Sequence, residues 1–270
     1  MRLGGALADS TWRTLVTGAS SGIGAEYARA LRARGEAVVL VARRQDRLSA
    51  LVSEIGGEPG AIPMAADLGH EGAAEKLRRD LDDRGLAVDG LVNCAGLGRT
   101  GPFVAQPHEV IRAMVDVNVR ALVELTRAFL PAMQARGRGR IVNVASNAAF
   151  QPIPNLAVYA ATKSFVLSFT EALAGELRTS GIQVQALCPG ITATEFLDVS
   201  KTGGELRVRR LPMLTPRQVV EASLHGLERG HLRVVVGFSN RLLGFLTQRV
   251  APSWLARWVA GELYRSRDRA

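Results

Sequence analysis

Short apolar runs alternate along the chain with longer stretches in which apolar positions recur at helical spacing. The run at 37–41 is wholly apolar, whereas the stretch at 158–179 returns an apolar residue every three or four positions. A continuous apolar run is typical of a strand buried on both faces of a parallel sheet. The alternation therefore predicts an α/β fold of the Rossmann type, a doubly wound seven-stranded parallel sheet with helices on both faces and a C-terminal helical extension.

The same pattern sets the expected boundaries. Strands are expected at 14–17, 37–41, 61–65, 88–92, 140–144, 183–187 and 232–236. Helices are expected at 23–34, 47–55, 71–84, 109–133, 158–179 and 216–229. Because no linker-like or repeated segment divides the chain, we predict a single domain over residues 1–238, extended by an amphipathic, basic helical segment over residues 239–270.

The charge of the chain is concentrated near its C-terminus. The 270 residues carry 34 Lys and Arg against 25 Asp and Glu, a net charge of +9. Residues 201–270 hold 13 basic and 5 acidic side chains, whereas residues 1–200 hold 21 and 20. A basic chain raises nucleic acid as a partner. We predict none, because the aromatic residues of the basic region, Trp254 and Trp258, fall on an apolar stripe rather than between basic residues.

The extension has two readings. Its apolar stripe could pack against the body of the protein or a second subunit, which is the commoner use of such a stripe and the one we favour. A basic helix that carries tryptophans could instead lie on an anionic membrane surface.

Cysteines, histidines and N-terminal residues indicate the compartment. Two cysteines and four scattered histidines form neither a disulfide framework nor a metal site, so we expect no metal. The N-terminal residues lack an apolar core of signal-peptide length, and no run of about 18 apolar residues occurs. We expect a cytoplasmic protein, with peripheral membrane association through the extension as the alternative.

A glycine-rich turn joins the first strand to the first helix. Residues 17–24 read Thr-Gly-Ala-Ser-Ser-Gly-Ile-Gly. Gly18 permits a sharp turn, and Gly22 and Gly24 let backbone amides and the helix N-terminus approach a pyrophosphate closely. The spacing differs from the commonest G-x-G-x-x-G fingerprint, but its place in the βαβ pattern predicts a dinucleotide cofactor.

Two arginines follow the second strand. A carboxylate at this point would bind the adenosine ribose 2′-hydroxyl and repel a 2′-phosphate, but the chain has Arg43 and Arg44 here. Guanidinium groups favour a 2′-phosphate through charge-assisted hydrogen bonds. The position therefore predicts NADP(H) rather than NAD(H), the alternative being a solvated basic pair.

Three residues carry candidate acid–base chemistry. Tyr159 and Lys163 lie four positions apart, on one face of the 158–179 helix. A lysine ammonium beside an oxidised nicotinamide would lower the tyrosine pKa from its usual value of about 10, which makes the phenol a usable acid and base. Ser146 follows the fifth strand, where its hydroxyl could steady a substrate oxygen. Taken singly, each residue also has a non-catalytic interpretation: Tyr159 as a packed aromatic, Lys163 as a surface charge and Ser146 as a helix or turn cap.

Taken together, these motifs resemble the short-chain dehydrogenase/reductase family, in its single-domain Tyr-x-x-x-Lys branch, over residues 12–237. The turn at 17–24 is similar to the family's cofactor turn, and Asn93-Cys94-Ala95-Gly96 resembles its N-N-A-G. Residues 189–194, Pro-Gly-Ile-Thr-Ala-Thr, resemble its P-G-x-V-x-T segment, and Asp67-Leu68 its adenine-contacting position. The departures are Cys94 for Asn, Thr162 for the usual Ser and Thr192 for the usual Val.

The resemblance implies a catalytic set of Asn118, Ser146, Tyr159 and Lys163. In that scheme Tyr159 exchanges a proton with the substrate oxygen while a hydride moves to or from the nicotinamide, and Ser146 hydrogen-bonds the same oxygen. Lys163 lowers the tyrosine pKa and binds the nicotinamide ribose, and Asn118 holds a water. The implied cofactor-binding residues are Gly18, Ser20, Ser21, Gly22, Ile23, Gly24, Arg43, Arg44, Asp67, Leu68, Asn93, Ala95, Gly96, Tyr159, Lys163, Pro189, Gly190, Thr192 and Thr194.

The expected activity is interconversion of a carbonyl and a secondary alcohol on a fairly apolar small molecule, as in a carbonyl reductase. Candidate substrate-lining positions are mostly apolar: Asn147, Ala148, Phe150, Ile153, Leu156, Phe196 and Leu197. Residues 195–215 are expected to form a mobile lid over the substrate. The alternative is a non-catalytic nucleotide sensor or scaffold on the same fold, although a pure binding protein needs no phenol–ammonium pair.

The resemblance also implies a homo-oligomer. If the extension covers the edge of the seventh strand, a homodimer is expected, paired through the helices at 109–133 and 158–179. A tetramer is the alternative.

Overall fold

A computed structural model describes residues 12–199 and 213–237. Its seven strands are β1 (Arg13–Thr17), β2 (Ala37–Ala42), β3 (Ala61–Ala65), β4 (Gly90–Asn93), β5 (Gly139–Val144), β6 (Ile182–Cys188) and β7 (Arg233–Val235). They form one parallel sheet in the order β3-β2-β1-β4-β5-β6-β7. The order runs outward in both directions from β1 and β4, which confirms the predicted doubly wound architecture.

Helices connect successive strands. They are α1 (Gly22–Ala33), α2 (Gln45–Glu54), α3 (Ala73–Asp82), α4 (His108–Val115), α5 (Ala121–Ala135), α6 (Ala157–Glu176), α7 (Phe196–Val199) and α8 (Pro216–Glu228). Short 3₁₀ turns lie at Phe103–Ala105 and Asn147–Phe150.

Both faces of the sheet are buried, as the continuous apolar runs predict. Every residue of β2 is buried. On one face, Tyr27 and Leu31 of α1 pack with Leu224 of α8. On the other face, Leu77 of α3 and Leu125 of α5 belong to a second core cluster. Burial on both sides leaves the loops at the strand ends to carry the polar chemistry.

The long helical stretch expected at 109–133 contains a local irregularity. A π-helical turn, Asp116–Arg120, separates α4 from α5. A π turn accommodates one extra residue and is frequent at functional sites. Here it carries Asn118, whose side chain is buried and fully hydrogen-bonded. The hydrophobic pattern does not reveal this turn, because apolar residues continue at helical spacing on both sides of it.

Two sequence predictions fall largely outside the described residues. The extension at 239–270 lies there entirely, so the domain boundary at 238 stays a prediction. The expected lid at 195–215 begins in α7 and continues through residues 200–212, which are also outside. Within the described residues, no helix combines the length and the apolar character that crossing a membrane requires.

Candidate active site

A cavity of about 350 Å³ opens at the carboxyl ends of the parallel strands. This is where doubly wound sheets bind their ligands. Its walls come from the segments that follow β1, β2, β3, β4, β5 and β6, together with the N-terminal turns of α6 and α7. All but two of the predicted catalytic and cofactor-binding residues line it; the exceptions are Asn93 and Asn118.

The glycine-rich turn is shaped by close backbone approaches. Gly18 has a φ of +67°, and a Cβ there would lie 2.9 Å from the Cα of Ala95. A Cβ on Gly24 would lie only 2.4 Å from the Gly18 carbonyl oxygen. α1 begins at Gly22, and the Ser21 side chain makes no capping hydrogen bond to its first turn. Residues Ser20–Gly24, which include this N-terminal turn, line the cavity. That arrangement suits a bound pyrophosphate.

Thr17, at the end of β1, connects this turn to the segment after β4. Its Oγ1 accepts hydrogen bonds from the backbone amides of Cys94 and Ala95, both at 3.0 Å, and donates to the Val92 carbonyl at 3.3 Å. Thr17 therefore positions two cavity-lining segments at once. The half-buried Cys94 lies beside them, and desolvation of its thiol raises its pKa to about 12.

One end of the cavity is lined by four of the predicted cofactor-binding residues, Arg43, Arg44, Asp67 and Leu68, and we call it the adenosine end. Arg44 donates from Nε and Nη2 to the Ser20 hydroxyl, at 3.3 and 3.0 Å. Its Nη1 donates to Glu195 Oε2 at 3.0 Å. Asp67 caps its own turn through the amide of Gly69, at 2.9 Å.

Glu195 is a cavity residue that the sequence patterns did not identify. It accepts hydrogen bonds from Arg47 and Arg44, and these two guanidinium groups lower the pKa of its carboxyl below the usual range. The partners are about 150 positions away in the sequence, so no local spacing could have revealed the contact.

Tyr159, Lys163 and Ser146 meet at the other end of the cavity. Tyr159 and Lys163 project from one face of α6, and the Lys163 Nζ lies 5.8 Å from the centroid of the Tyr159 ring. The Ser146 Oγ accepts from the Ala148 amide at 3.1 Å, so its position is fixed by the 3₁₀ turn that follows β5.

Lys163 is buried, with 5% of its surface exposed, and its Nζ donates to the Val144 carbonyl at 2.7 Å. Removal from water lowers the pKa of Lys163 to about 8, since burial penalises the charged ammonium. At pH 7 the ammonium form still predominates. The charge that the tyrosine needs is therefore present, at a cost in solvation.

Asn118 acts behind the cavity wall. Its Oδ1 accepts from the Leu97 amide at 2.7 Å, and its Nδ2 donates to the Leu97 carbonyl at 2.8 Å and the Thr162 hydroxyl at 3.0 Å. Thr162 in turn donates to the Tyr159 carbonyl at 2.8 Å, so the threonine keeps the hydroxyl of the usual serine. The side chain of Asn118 thus links the segment after β4 to α6.

The side chain of Asn93 lies in the core rather than in the cavity wall. Its Nδ2 donates to Asn143 Oδ1 at 2.9 Å and Thr126 Oγ1 at 3.2 Å, inside the core between β4, β5 and α5. The Asn93 Nδ2 has its partners in other side chains rather than in the cavity, and its Oδ1 is buried without a partner among the described residues. The side chain therefore supports the core, and a cofactor contact by Asn93 stays a prediction.

The residues after β6 complete the cavity wall. Pro189, Gly190, Thr192 and Thr194 all line it, as predicted. Thr192 donates to the Gly190 carbonyl at 3.0 Å and pairs with Leu214 in an isolated bridge.

The substrate end is largely apolar. The Phe196 ring lies 5.5 Å from the Tyr159 ring, and a Cβ on Gly98 would lie 2.6 Å from its Cζ. Asn147, Ala148, Leu156 and Leu197 also line the cavity, as expected. Phe150 and Ile153 are not among the lining residues. Both pack instead in side-chain clusters beneath the wall.

The cavity fits a nicotinamide dinucleotide. It combines a tight glycine turn at a helix N-terminus, basic side chains at one end and a phenol–ammonium pair at the other. Within residues 12–199 and 213–237, no cluster of three or more His, Cys, Asp or Glu side chains that could hold a metal ion occurs. Fold and cavity together define a nucleotide-dependent oxidoreductase.

The chain belongs to the short-chain dehydrogenase/reductase family. The family profile described as short chain dehydrogenase matches residues 13–203. The chain is 32% identical over 259 residues to the very-long-chain 3-oxoacyl-CoA reductase of Macaca fascicularis, which covers 91% of this chain and 77% of that protein.

Two further likenesses support the assignment. A short chain dehydrogenase of Pseudocercospora fijiensis is 41% identical over 185 residues, which span 67% of this chain but only 60% of the fungal protein. The solved short-chain dehydrogenase of Sphingobium yanoikuyae in complex with NADPH is 34% identical, with a TM-score of 0.77, and covers 83% of this chain and 87% of the other.

Proposed function

We propose that the protein is an NADP(H)-dependent oxidoreductase that interconverts a carbonyl and a secondary alcohol on a fairly apolar small molecule. One observation carries the proposal: Tyr159, Lys163 and Ser146 line the same cavity as the glycine-rich turn and its arginines. A phenol, an ammonium and a hydroxyl around one point are the groups that carbonyl reduction needs.

Tyr159 is the general acid and base of this proposal. In the direction of reduction its hydroxyl gives a proton to the substrate oxygen, and in reverse its phenolate takes that proton back. The Lys163 ammonium favours the phenolate, since an opposite charge nearby lowers the pKa of a phenol. Ser146 donates a hydrogen bond to the same substrate oxygen and so holds it beside the tyrosine.

The bound nicotinamide supplies or accepts the hydride. The pyrophosphate would lie over Gly18–Gly24, and the nicotinamide would be held by Pro189, Gly190, Thr192 and Thr194. Lys163 would bind the ribose hydroxyls. Because the Asn118 side chain is engaged by Leu97 and Thr162, any water that Asn118 holds would have to be bound by its backbone.

Arg43 and Arg44 support NADP(H) over NAD(H). They replace the carboxylate that would select a 2′-hydroxyl, and Arg44 is oriented by Ser20 of the glycine-rich turn. A fixed guanidinium recognises phosphate better than a free one, because less side-chain freedom is lost on binding.

The apolar substrate end supports a carbonyl compound with an apolar body. Phe196, Leu197, Leu156 and Ala148 offer contact area without charge. The likeness to a very-long-chain 3-oxoacyl-CoA reductase adds 3-oxoacyl thioesters to the candidates. We further propose a homodimer, paired through α4–α5 and α6.

Oxidation of NADPH, followed over a panel of apolar ketones, aldehydes, quinones and 3-oxoacyl thioesters, tests the proposal. NADH is run in parallel. We expect turnover of at least one apolar carbonyl, with a kcat/KM higher for NADPH than for NADH. Equal or better use of NADH would contradict the assigned role of Arg43 and Arg44.

A further inference from the structure

Three charged side chains form a cluster at the adenosine end of the cavity. We call Arg44, Arg47 and Glu195 the rim cluster. The Glu195 carboxylate accepts a hydrogen bond from Arg44 Nη1 at 3.0 Å through Oε2, and one from Arg47 Nη1 through Oε1. The remaining edge of the Arg44 guanidinium donates to the Ser20 hydroxyl. The arginine that is best placed for a 2′-phosphate therefore already has a carboxylate partner.

Neighbouring contacts fix Glu195 in this place. The preceding residue, Thr194, lies against the glycine-rich turn, because a Cβ on Gly22 would come within 2.9 Å of its Cγ2. The following residue, Phe196, contacts the Tyr159 ring. Because both neighbouring residues are held by these contacts, the backbone of Glu195 is fixed beside Arg44. Its carboxylate is therefore held within reach of the Arg44 guanidinium.

We propose that Glu195 is a specificity-determining residue that competes with the cofactor's 2′-phosphate for Arg44. The inference rests on the proposed NADP(H) function. A carboxylate and a phosphate use the same N–H donors of a guanidinium group. On binding, the phosphate replaces the carboxylate on Arg44, and the Arg44–Glu195 pair is lost. Glu195 thereby lowers the preference for NADP(H) below the level that Arg43 and Arg44 alone would give.

The size of the effect follows from exposure. The side chains of Arg44, Arg47 and Glu195 are each about two-fifths exposed, at 41%, 44% and 42%. Ion pairs this exposed are weakened by solvent and salt. Loss of the Arg44–Glu195 pair corresponds to a change of about 3- to 10-fold in affinity for a 2′-phosphate.

Calorimetric binding of two adenosine probes to the full-length protein tests this. One probe is 2′,5′-ADP, which carries the 2′-phosphate, and the other is 5′-AMP, which lacks it. We expect Glu195→Gln to bind 2′,5′-ADP about 3- to 10-fold more tightly than the unmodified protein does. Its affinity for 5′-AMP should stay within about twofold, because the substitution removes only a competitor for the 2′-phosphate.

Glu54→Gln is the matched control. Glu54 also pairs with an arginine, Arg29, at 2.6 Å and is about half exposed, but it does not line the cavity. The Glu54→Gln substitution also removes one negative charge, from α2, the helix that carries Arg47. It should leave the affinities for 2′,5′-ADP and 5′-AMP unchanged. If both variants tightened 2′,5′-ADP equally, a general charge effect would explain the gain and the inference would fail.

A second variant separates the proposal from the cofactor assignment. In an Arg44→Gln background, the gain from Glu195→Gln should fall below about twofold, since the contested donor is gone. A full gain there would overturn the competition. If the unmodified protein preferred 2′,5′-ADP but Glu195→Gln changed nothing, the inference would fail and the NADP(H) assignment would stand. If neither the unmodified protein nor Glu195→Gln preferred 2′,5′-ADP over 5′-AMP, the NADP(H) assignment itself would be contradicted.

Discussion

The two ends of the cavity are built in opposite ways. At the catalytic end, Lys163 and Asn118 are only 5% and 1% exposed. Lys163 donates to the Val144 carbonyl, and Asn118 donates to the Thr162 hydroxyl. At the adenosine end, Arg44 and Glu195 are about two-fifths exposed and bind each other across roughly 150 residues of sequence. One end is buried and held by hydrogen bonds, whereas the other is open and held by charge.

This difference separates the two kinds of chemistry. A buried ammonium acts more strongly on a neighbouring phenol than an exposed one does, because less water screens it. It also costs stability. An exposed guanidinium costs little and can exchange one anionic partner for another, which is what recognition of a cofactor phosphate requires. The catalytic end is therefore expected to resist substitution, while the adenosine end is expected to tolerate it and change its preference.

Lys163→Met should produce the largest change, and only at the catalytic end. Turnover should fall by about 10²- to 10⁴-fold, because Tyr159 loses the charge that favours its phenolate. The free energy of unfolding should nevertheless rise, by about 1–3 kcal/mol at pH 7, since a desolvated charge is removed. Steady-state kinetics and urea unfolding measure the two effects.

The stability gain of Lys163→Met should depend on pH, in a direction set by the lowered pKa of Lys163. The folded-state pKa of Lys163 is lowered to about 8 from its usual value near 10.5. Between these values the unfolded chain binds more protons than the folded one, so the stability of the unmodified protein rises with pH through this window. The advantage of Lys163→Met should therefore shrink between pH 8 and pH 10. A gap that widened with pH would contradict the burial of a charged lysine.

Arg44→Gln should have the next largest effect, confined to the adenosine end. The KM for NADPH should rise about 10- to 100-fold because a charge-assisted contact with the phosphate is lost. The KM for NADH should change little, and the free energy of unfolding should move by less than about 1 kcal/mol. A parallel loss with both coenzymes would show that Arg44 supports the fold of the site rather than the 2′-phosphate.

Asn118→Ala should have a smaller effect, which lowers both the free energy of unfolding and kcat. Its three hydrogen bonds to Leu97 and Thr162 are lost, which should lower the free energy of unfolding by about 1–3 kcal/mol. We expect kcat to fall about tenfold, since α6 and Tyr159 are less well positioned. If kcat stayed constant while stability fell, Asn118 would be purely structural.

Thr162→Ser should have the smallest effect. The serine keeps the hydroxyl that accepts from Asn118 and donates to the Tyr159 carbonyl, so kcat should stay within about twofold. Thr162→Val is the matched variant: it keeps the shape, loses the hydroxyl, and should behave like a mild form of Asn118→Ala. Equal behaviour of the serine and valine variants would exclude the hydroxyl as the connecting group.

The sequence predicted the fold well because burial on both faces leaves a direct record in the sequence, most clearly the continuous apolar run of β2. The glycine turn and the Tyr159–Lys163 pair were predictable for a similar reason, since their geometry depends on spacing within one element. The contacts of Glu195 were not predictable, because they join segments about 150 positions apart. The π turn at Asn118 was not predictable either, because apolar residues continue at helical spacing on both sides of it. The sequence did not reveal that the Asn93 side chain belongs to a buried amide network, because such a network and a cofactor contact use the same residue type.

The most direct test of the central claim is Tyr159→Phe, measured for both turnover and binding of NADPH. The substitution removes one hydroxyl and leaves the ring that packs beside Phe196. We predict that kcat falls at least about 10²-fold while the calorimetric Kd for NADPH stays within about twofold. Undiminished turnover would contradict the role of Tyr159 as the acid and base.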